Sequence, residues 1–140
     1  MSAITDFRDR LQAGGLTFTN GGAALIQAVN LFVGLFPVEP DDAVLIARFP
    51  GPGPERVMGE AQGGVVYHST HVQITVRSKS YVVGEQMMKD IIWRMDNFVG
   101  LIGANDYLWI SQRMGISDYG HDENRRFRFM TTFMMRGPIP

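Results

Sequence analysis

Between Val72 and Phe98 the hydrophobic period of this chain changes from two to about 3.6, and no other feature constrains the fold as tightly. Val72, Ile74 and Val76 alternate with His71, Gln73, Thr75 and Arg77, the pattern of a strand with one buried face. Ser78 or Ser80 can then cap a helix. Beyond them Gly84, Met88, Ile91, Met95 and Phe98 lie on one face, joined by Ile92 and Val99, while Glu85, Lys89, Asp90, Arg94 and Asp96 face water. The spacing predicts an amphipathic helix over residues 81–98, ended by Gly100 and Gly103. A strand over 65–77 that feeds such a helix implies a sheet for the helix to cover.

The flanking segments supply that sheet. Phe127, Phe129, Thr131 and Phe133 alternate with Arg128, Met130, Thr132 and Met134, predicting a closing strand over 126–136. Residues 106–113 read as another strand, rich in β-formers, and 116–123 as a polar turn. Toward the N-terminus, Leu31 to Phe36 is a short apolar run ended by Pro37, and 43–49 is a second run; the turn over 37–42 makes the two a hairpin. Ile4, Phe7 and Leu11 recur at helical spacing over 4–13, with Ser2 as N-cap and Gly14-Gly15 as stop. Residues 16–29 follow no single period. Prolines 50, 52 and 54 alternate with Gly51 and Gly53, so 50–64 is expected to be a flexible loop, and 137–140 a tail. The reading is one α+β domain over 1–140: a mostly antiparallel sheet covered on one face by a long helix, plus a short N-terminal helix.

Composition narrows function. The 140 residues suit one domain. Charged residues make up 19%, below the usual ~25%, which suggests that part of the surface meets a partner. The absence of cysteine excludes disulfides, thiolate metal sites and cysteine nucleophiles. A formal net charge of -1 lacks the basic balance of a strong nucleic-acid binder. The start shows no basic stretch followed by an apolar one, so no signal peptide is expected. The apolar-rich stretch over 23–38 is broken by Gln27, Asn30, Gly34 and Pro37 and falls short of the ~20 residues of a membrane helix.

No catalytic constellation emerges. His68 and His71, three apart on a strand, point to opposite faces and cannot both chelate without a bulge; a metal site would need His121, Asp122 and Glu123 to converge on them. Asp41-Asp42 and Asp122-Glu123 sit in turns, where acids serve local hydrogen bonds, and neither pair has a nucleophile at telling spacing. Gly51-Pro52-Gly53 and Gly63-Gly64 lack the lysine and hydroxyl of a phosphate loop. Arg125, Arg126, Arg128 and Arg136 form a basic cluster, suited either to phosphates and a neighbour's carboxylates or to protecting an edge strand. Met134-Met135 places at least one methionine off the core face, available to a subunit contact. No enzyme activity and no cofactor are expected.

Taken together, Asn30-Leu31-Phe32-Val33-Gly34, Pro37-Val38-Glu39-Pro40-Asp41-Asp42, Phe49-Pro50-Gly51-Pro52-Gly53-Pro54, Val72-Gln73-Ile74-Thr75-Val76-Arg77 running into the long helix, and Asp122-Glu123-Asn124-Arg125-Arg126-Phe127 before an aromatic strand ending at Arg136 resemble the tail-terminator (tail-completion, minor capsid) proteins of long-tailed bacteriophages. The resemblance covers residues 30–136. It implies a virion subunit, assembled in the host cytoplasm, that forms a ring, typically a hexamer, at the head-proximal end of the tail tube. Its partners would be other copies of itself, the tail-tube protein and the head connector or neck protein. DNA would pass through the lumen without sequence-specific binding, and no membrane would be involved. The residues expected at subunit contacts are Asp41, Asp42, Arg48, Arg77, Asp122, Glu123, Arg125 and Arg126, with the 50–64 loop reaching a neighbour. The alternatives are a connector or neck protein, a tail-tube subunit or, in another class, a monomeric small-molecule-binding α+β domain.

Overall fold

The computed structural model describes residues 3–18, 24–27, 29–38, 40–49, 55–56, 65–67 and 69–137. Their fold is α+β, with a curled, mostly antiparallel sheet and two helices. Helix α1 (Ala3–Ala13) precedes β1 (Leu31–Val33), β2 (Ala43–Phe49), the short β3 (Glu55–Arg56) and β4 (Val65–Tyr67), and β5 (Ser69–Ser78). Helix α2 (Tyr81–Met95) follows, then β6 (Phe98–Ile102), β7 (Asn105–Gln112), β8 (Ser117–His121) and β9 (Phe127–Arg136). The main sheet runs β1-β2-β5-β9-β7-β6, with β8 paired to β9; β3 and β4 pair separately. Of the expected 50–64 loop, Glu55–Arg56 is thus a strand, while 50–54 and 57–64, like the proposed cap Ser2 and residues 138–140, lie outside the described residues.

The two alternating strands pair with each other in register from Ser69↔Arg136 to Ser78↔Phe127. This register sets Val72, Val76, Phe129 and Phe133 on one face, continued by Val44 and Ile46 of β2. All are buried against Phe7 and Leu11 of α1 and Met87, Met88, Ile91 and Met95 of α2. Each such side chain contributes roughly 1.5–3 kcal/mol on leaving water. The Ser80 hydroxyl caps α2 by accepting from the Val83 amide. Gly84 sits where a Cβ would stand 2.8 Å from Phe129 Cε2, so the helix comes close to the sheet only because that position has no side chain. Asp6, on the buried side of α1, accepts from Asn105 (2.8 Å) and from the Tyr107 hydroxyl, tying the helix to the β6–β7 hairpin.

Three expectations from the sequence are corrected. The strands over 31–36 and 43–49 are not a hairpin: β1 and β2 pair in parallel, Leu31↔Val44 to Val33↔Ile46. With only three residues in β1, the chain retreats about 10 Å, a distance that the loop over 34–42 spans. Gly34 starts the return at φ +95 while its amide donates to Ile46 O at 2.9 Å. The long helix stops at Met95 rather than Phe98, because Asn97 takes a left-handed φ of 62. Phe98–Ile102 becomes β6 instead, and Asp96 and Asn97 accept from the Gln112 amide and the Trp109 indole. The polar turn over 116–123 contains a strand, β8, paired with β9. The unassigned stretch over 16–29 is part of the core in its described portion. Phe18 and Leu25 are buried there, and the Asn30 side chain holds the Ile26 amide (2.7 Å) and the Ala24 carbonyl (3.1 Å).

Candidate functional site

The second face of β5 also carries buried residues, and at its end Arg77 is only 3% exposed. A guanidinium can be buried there because its two terminal nitrogens meet backbone acceptors, while its Nε has no partner. It donates to Pro37 O at 2.9 Å and Pro40 O at 2.5 Å, and its plane lies 4.4 Å from the centre of the Phe36 ring. Arg126, equally buried, donates to Val38 O between those two contacts. Two arginines from β5 and the β8–β9 turn therefore hold three carbonyls of the loop over 34–42, those of Pro37, Val38 and Pro40. Proline makes this loop dependent on such partners, since Pro37 and Pro40 have no N–H with which to join a ladder.

The surrounding acids fix the arginines. Arg126 Nε donates to Asp122 Oδ2 at 3.0 Å, and Asp122 Oδ1 also accepts from the amides of Asn124 (2.9 Å) and Arg126 (3.0 Å). Arg125 takes a left-handed φ of 59 to close this turn. Asp41 lies 3.8 Å from Arg126 and 3.3 Å from Lys79, and the Ser78 hydroxyl donates to Asp42 at 2.7 Å. Burial first, and then the neighbouring Arg126, push the Arg77 guanidinium below its ordinary pKa, while Asp122 and Asp41 oppose the shift. Arginine stays charged regardless. Burial pushes the Asp122 carboxyl up. The hydrogen bonds from Arg126 and Asn124 and the Arg126 charge outweigh that effect and hold it below the usual carboxylate range.

Five of the eight expected contact residues, Asp41, Asp42, Arg77, Asp122 and Arg126, thus meet in one network within the chain. Glu123 and Arg125 are exposed on the turn beside it. Arg48 stands apart, five residues along β2 from Ala43, about 17 Å away. What the network does is hold a loop in one shape, with Leu35 (83% exposed) and Val38 on its outer side. Between this loop and β8 lies an apolar cleft of about 220 Å³ lined by Phe36, Leu45, Thr75, Tyr119, Arg128 and Met130. Among the described residues no group of three or more His, Asp or Glu side chains is placed to hold a metal, and His68 is outside them. No helix among them is long and apolar enough to cross a membrane.

At the other end of the sheet, sequence reasoning missed a second patch. Trp93 is 88% exposed on α2, and Val99 and Leu101 project from the edge strand β6. The signal was there: Trp93 sits four residues after Lys89, in the water-facing stripe, where a large aromatic has no core to fill.

No curated protein matches the chain in sequence. Its fold is shared with a chain of the solved virion of a native gene transfer agent particle, at TM-score 0.51 and 8% identity over 76% of each chain. It is also shared with a second solved structure, at TM-score 0.57 and 14% identity over 97% of this chain and 94% of that one. The family model for bacteriophage tail terminator proteins matches residues 11–136. The chain belongs to the bacteriophage tail terminator protein family, a family of structural proteins of the virion.

Proposed function

We propose that this chain forms a closed ring, a hexamer, that caps the head-proximal end of the tail tube and joins it to the head connector, with DNA passing through the lumen unread. The observation that carries this reading is the pair of unlike edge strands at the ends of one sheet. β1 ends in the stapled loop with exposed Val33, Leu35 and Val38, and β6 carries exposed Val99 and Leu101 near Trp93. Two different patches on the two edge strands of one sheet suit a head-to-tail contact, and such contacts close into rings when their rotation allows. Exposed apolar side chains of this size mark surfaces that a partner covers. In this reading Asp41, Asp42, Arg48, Glu123 and Arg125 contribute polar contacts to neighbours. Arg77, Asp122 and Arg126 act through the loop they hold, and residues 50–64 reach an adjacent subunit or ring.

Negative-stain imaging of the purified protein, with light scattering across a concentration series, tests the reading. Discrete rings with six times the 15.6 kDa chain mass are expected. Tubes of unlimited length would make the chain a tube subunit instead, and a monomer at every concentration, including in the presence of tail tubes, would sink the capping role.

A further inference from the structure

Between α1, α2 and β6 lies an open pocket of about 310 Å³ lined by Arg10, Arg94, Asp9 and Leu101, among others. Arg10 and Arg94 lock each other in place. Arg10 Nη2 donates to Arg94 O at 3.1 Å, and Arg94 Nε returns a bond to Arg10 O at 3.2 Å. The Arg10 guanidinium stacks 3.6 Å from the centre of the Phe98 ring, and its Nε is buried without a partner. Among the described residues no carboxylate is paired with either guanidinium. Asp9, on the rim, is engaged by Arg8 at 2.9 Å. Burial, with Arg94 beside it, pushes Arg10 below its ordinary pKa, as expected of two cations held together without a counter-ion. Each guanidinium has five N–H donors in a fixed fork, so the pair is pre-built to receive an oxyanion at little entropic cost.

The rim decides which oxyanion. Leu101 is 66% exposed at the mouth, and Val99 lies two residues earlier on the same edge strand. A groove that tracks nucleic acid carries successive cations for successive phosphates; here the neighbouring cations Arg8 and Lys89 are already paired. An apolar rim around a desolvated arginine is instead the composition of a protein–protein contact. The loop over 34–42, which leaves the opposite edge strand of the same chain, has complementary parts: exposed Leu35, with Val33 just before it on β1, and at its far end Asp41, whose side chain is 46% exposed and lies 3.3 Å from the solvated Lys79 and 3.8 Å from Arg126.

We propose that the Arg10–Arg94 pocket is a carboxylate socket for Asp41 of a second copy of this chain, with Val99 and Leu101 of one subunit meeting Val33 and Leu35 of the next. This rests on the ring reading and names its two contacting surfaces.

A charge swap tests it, with association of the full chain followed by light scattering over a concentration series. Arg94→Glu and Asp41→Arg each move the association midpoint at least about tenfold higher in concentration, and the double variant Asp41→Arg/Arg94→Glu recovers most of that loss. Leu101→Ser, at a position too exposed to matter to folding, weakens association as well. Arg94→Gln, folded by circular dichroism, repeats the effect without charge reversal. An Arg94→Glu curve that superimposes on wild type overturns the socket while leaving the ring intact, as does a double variant no better than the singles. Unchanged association with lost binding of a short DNA duplex on Arg94→Gln overturns it in favour of a phosphate site. A wild-type chain that is monomeric throughout, with and without tail tubes present, removes the ring reading and the socket together, before any variant is made.

Discussion

Replacing Arg77 with alanine separates a residue that staples its own chain from one that reaches a neighbour. Arg77 makes two charge-assisted bonds, to Pro37 O and Pro40 O, and stacks on Phe36. Each bond is worth about 1.5–3 kcal/mol and the stacking about 0.5–2 kcal/mol. Two effects reduce the loss. Pro37 is exposed and Pro40 half-buried, so their carbonyls regain water when the arginine goes, and Arg126 is freed from a like charge. The net cost is about 3 kcal/mol. At about 4 °C per kcal/mol for a domain of this length, the melting temperature falls by about 12 °C. Arg77→Lys keeps the charge but has no planar fork to span two carbonyls, and should recover about half of that loss.

Thermal unfolding of both variants at a protein concentration where the wild type is monomeric is the assay. Hydrogen exchange at the amides of Leu35, Phe36 and Val38 adds the local readout, since the loop should open in Arg77→Ala while β9 stays protected. A melting temperature within about 2 °C of wild type for the alanine variant, or a lysine variant equal to wild type, would refute the stapling argument. Unchanged stability with lost association would return Arg77 to the subunit contact that its sequence position suggests.

Three further outcomes follow from the same structure. Gly84→Ala improves helix propensity by about 1 kcal/mol but drives a methyl into Phe129 Cε2; overpacking wins by about 1 kcal/mol, and denaturant titration should show a net loss, relieved by Phe129→Leu. Because the folded-state pKa of Asp122 is lowered, the stability it contributes is present above about pH 4, its unfolded value, and is lost as pH falls through the folded value. The stability gap between wild type and Asp122→Asn should therefore be widest near neutrality and close in acid. Burial first, then Asp6, push the Tyr107 hydroxyl well above its ordinary pKa, so its stabilisation holds below about pH 10 and drains away in alkali as the unfolded chain ionises. Tyr107→Phe should lose about 2 kcal/mol at neutral pH, by leaving a buried carboxylate short of a donor, and should show a flatter alkaline limb in chemical denaturation.

The parts of the fold legible in the sequence are those in which local pattern and final environment agree. Val72, Ile74 and Val76 alternate because one face of β5 meets the helices, and Phe129 and Phe133 alternate on β9 for the same reason. Phe98 misled because it continues the helical spacing of Met88, Ile91 and Met95, and only the left-handed Asn97 shows where the helix stops. Strand β8 was unreadable because it is an edge strand with little to bury: Asp118, Tyr119, Gly120 and His121 are all exposed, so no apolar period exists to find. The parallel pairing of β1 and β2 lay beyond reach, since what permits it is a loop held by residues some forty and ninety positions away, Arg77 and Arg126.

The same distance dependence governs the candidate site. Its residue types were visible, and charged side chains flanking proline turns are reasonable contact residues, but the sequence does not say whether a guanidinium finds its acceptor in its own chain or in another. The structure divides the arginines on that criterion. Arg77 and Arg126 sit beside Asp122 and spend donors on loop carbonyls of the same chain. Arg10 and Arg94 share a pocket whose acid, Asp9, is engaged by Arg8, beside apolar side chains that face water. Both pairs are partly desolvated, and desolvation is costly unless compensated. The first pair is largely compensated on folding, by loop carbonyls and Asp122, with only the Arg77 Nε left without a partner. The second pair has no free acid in its open pocket, and in a chain with few charges overall such a pair is the better guide to where a neighbour would bind.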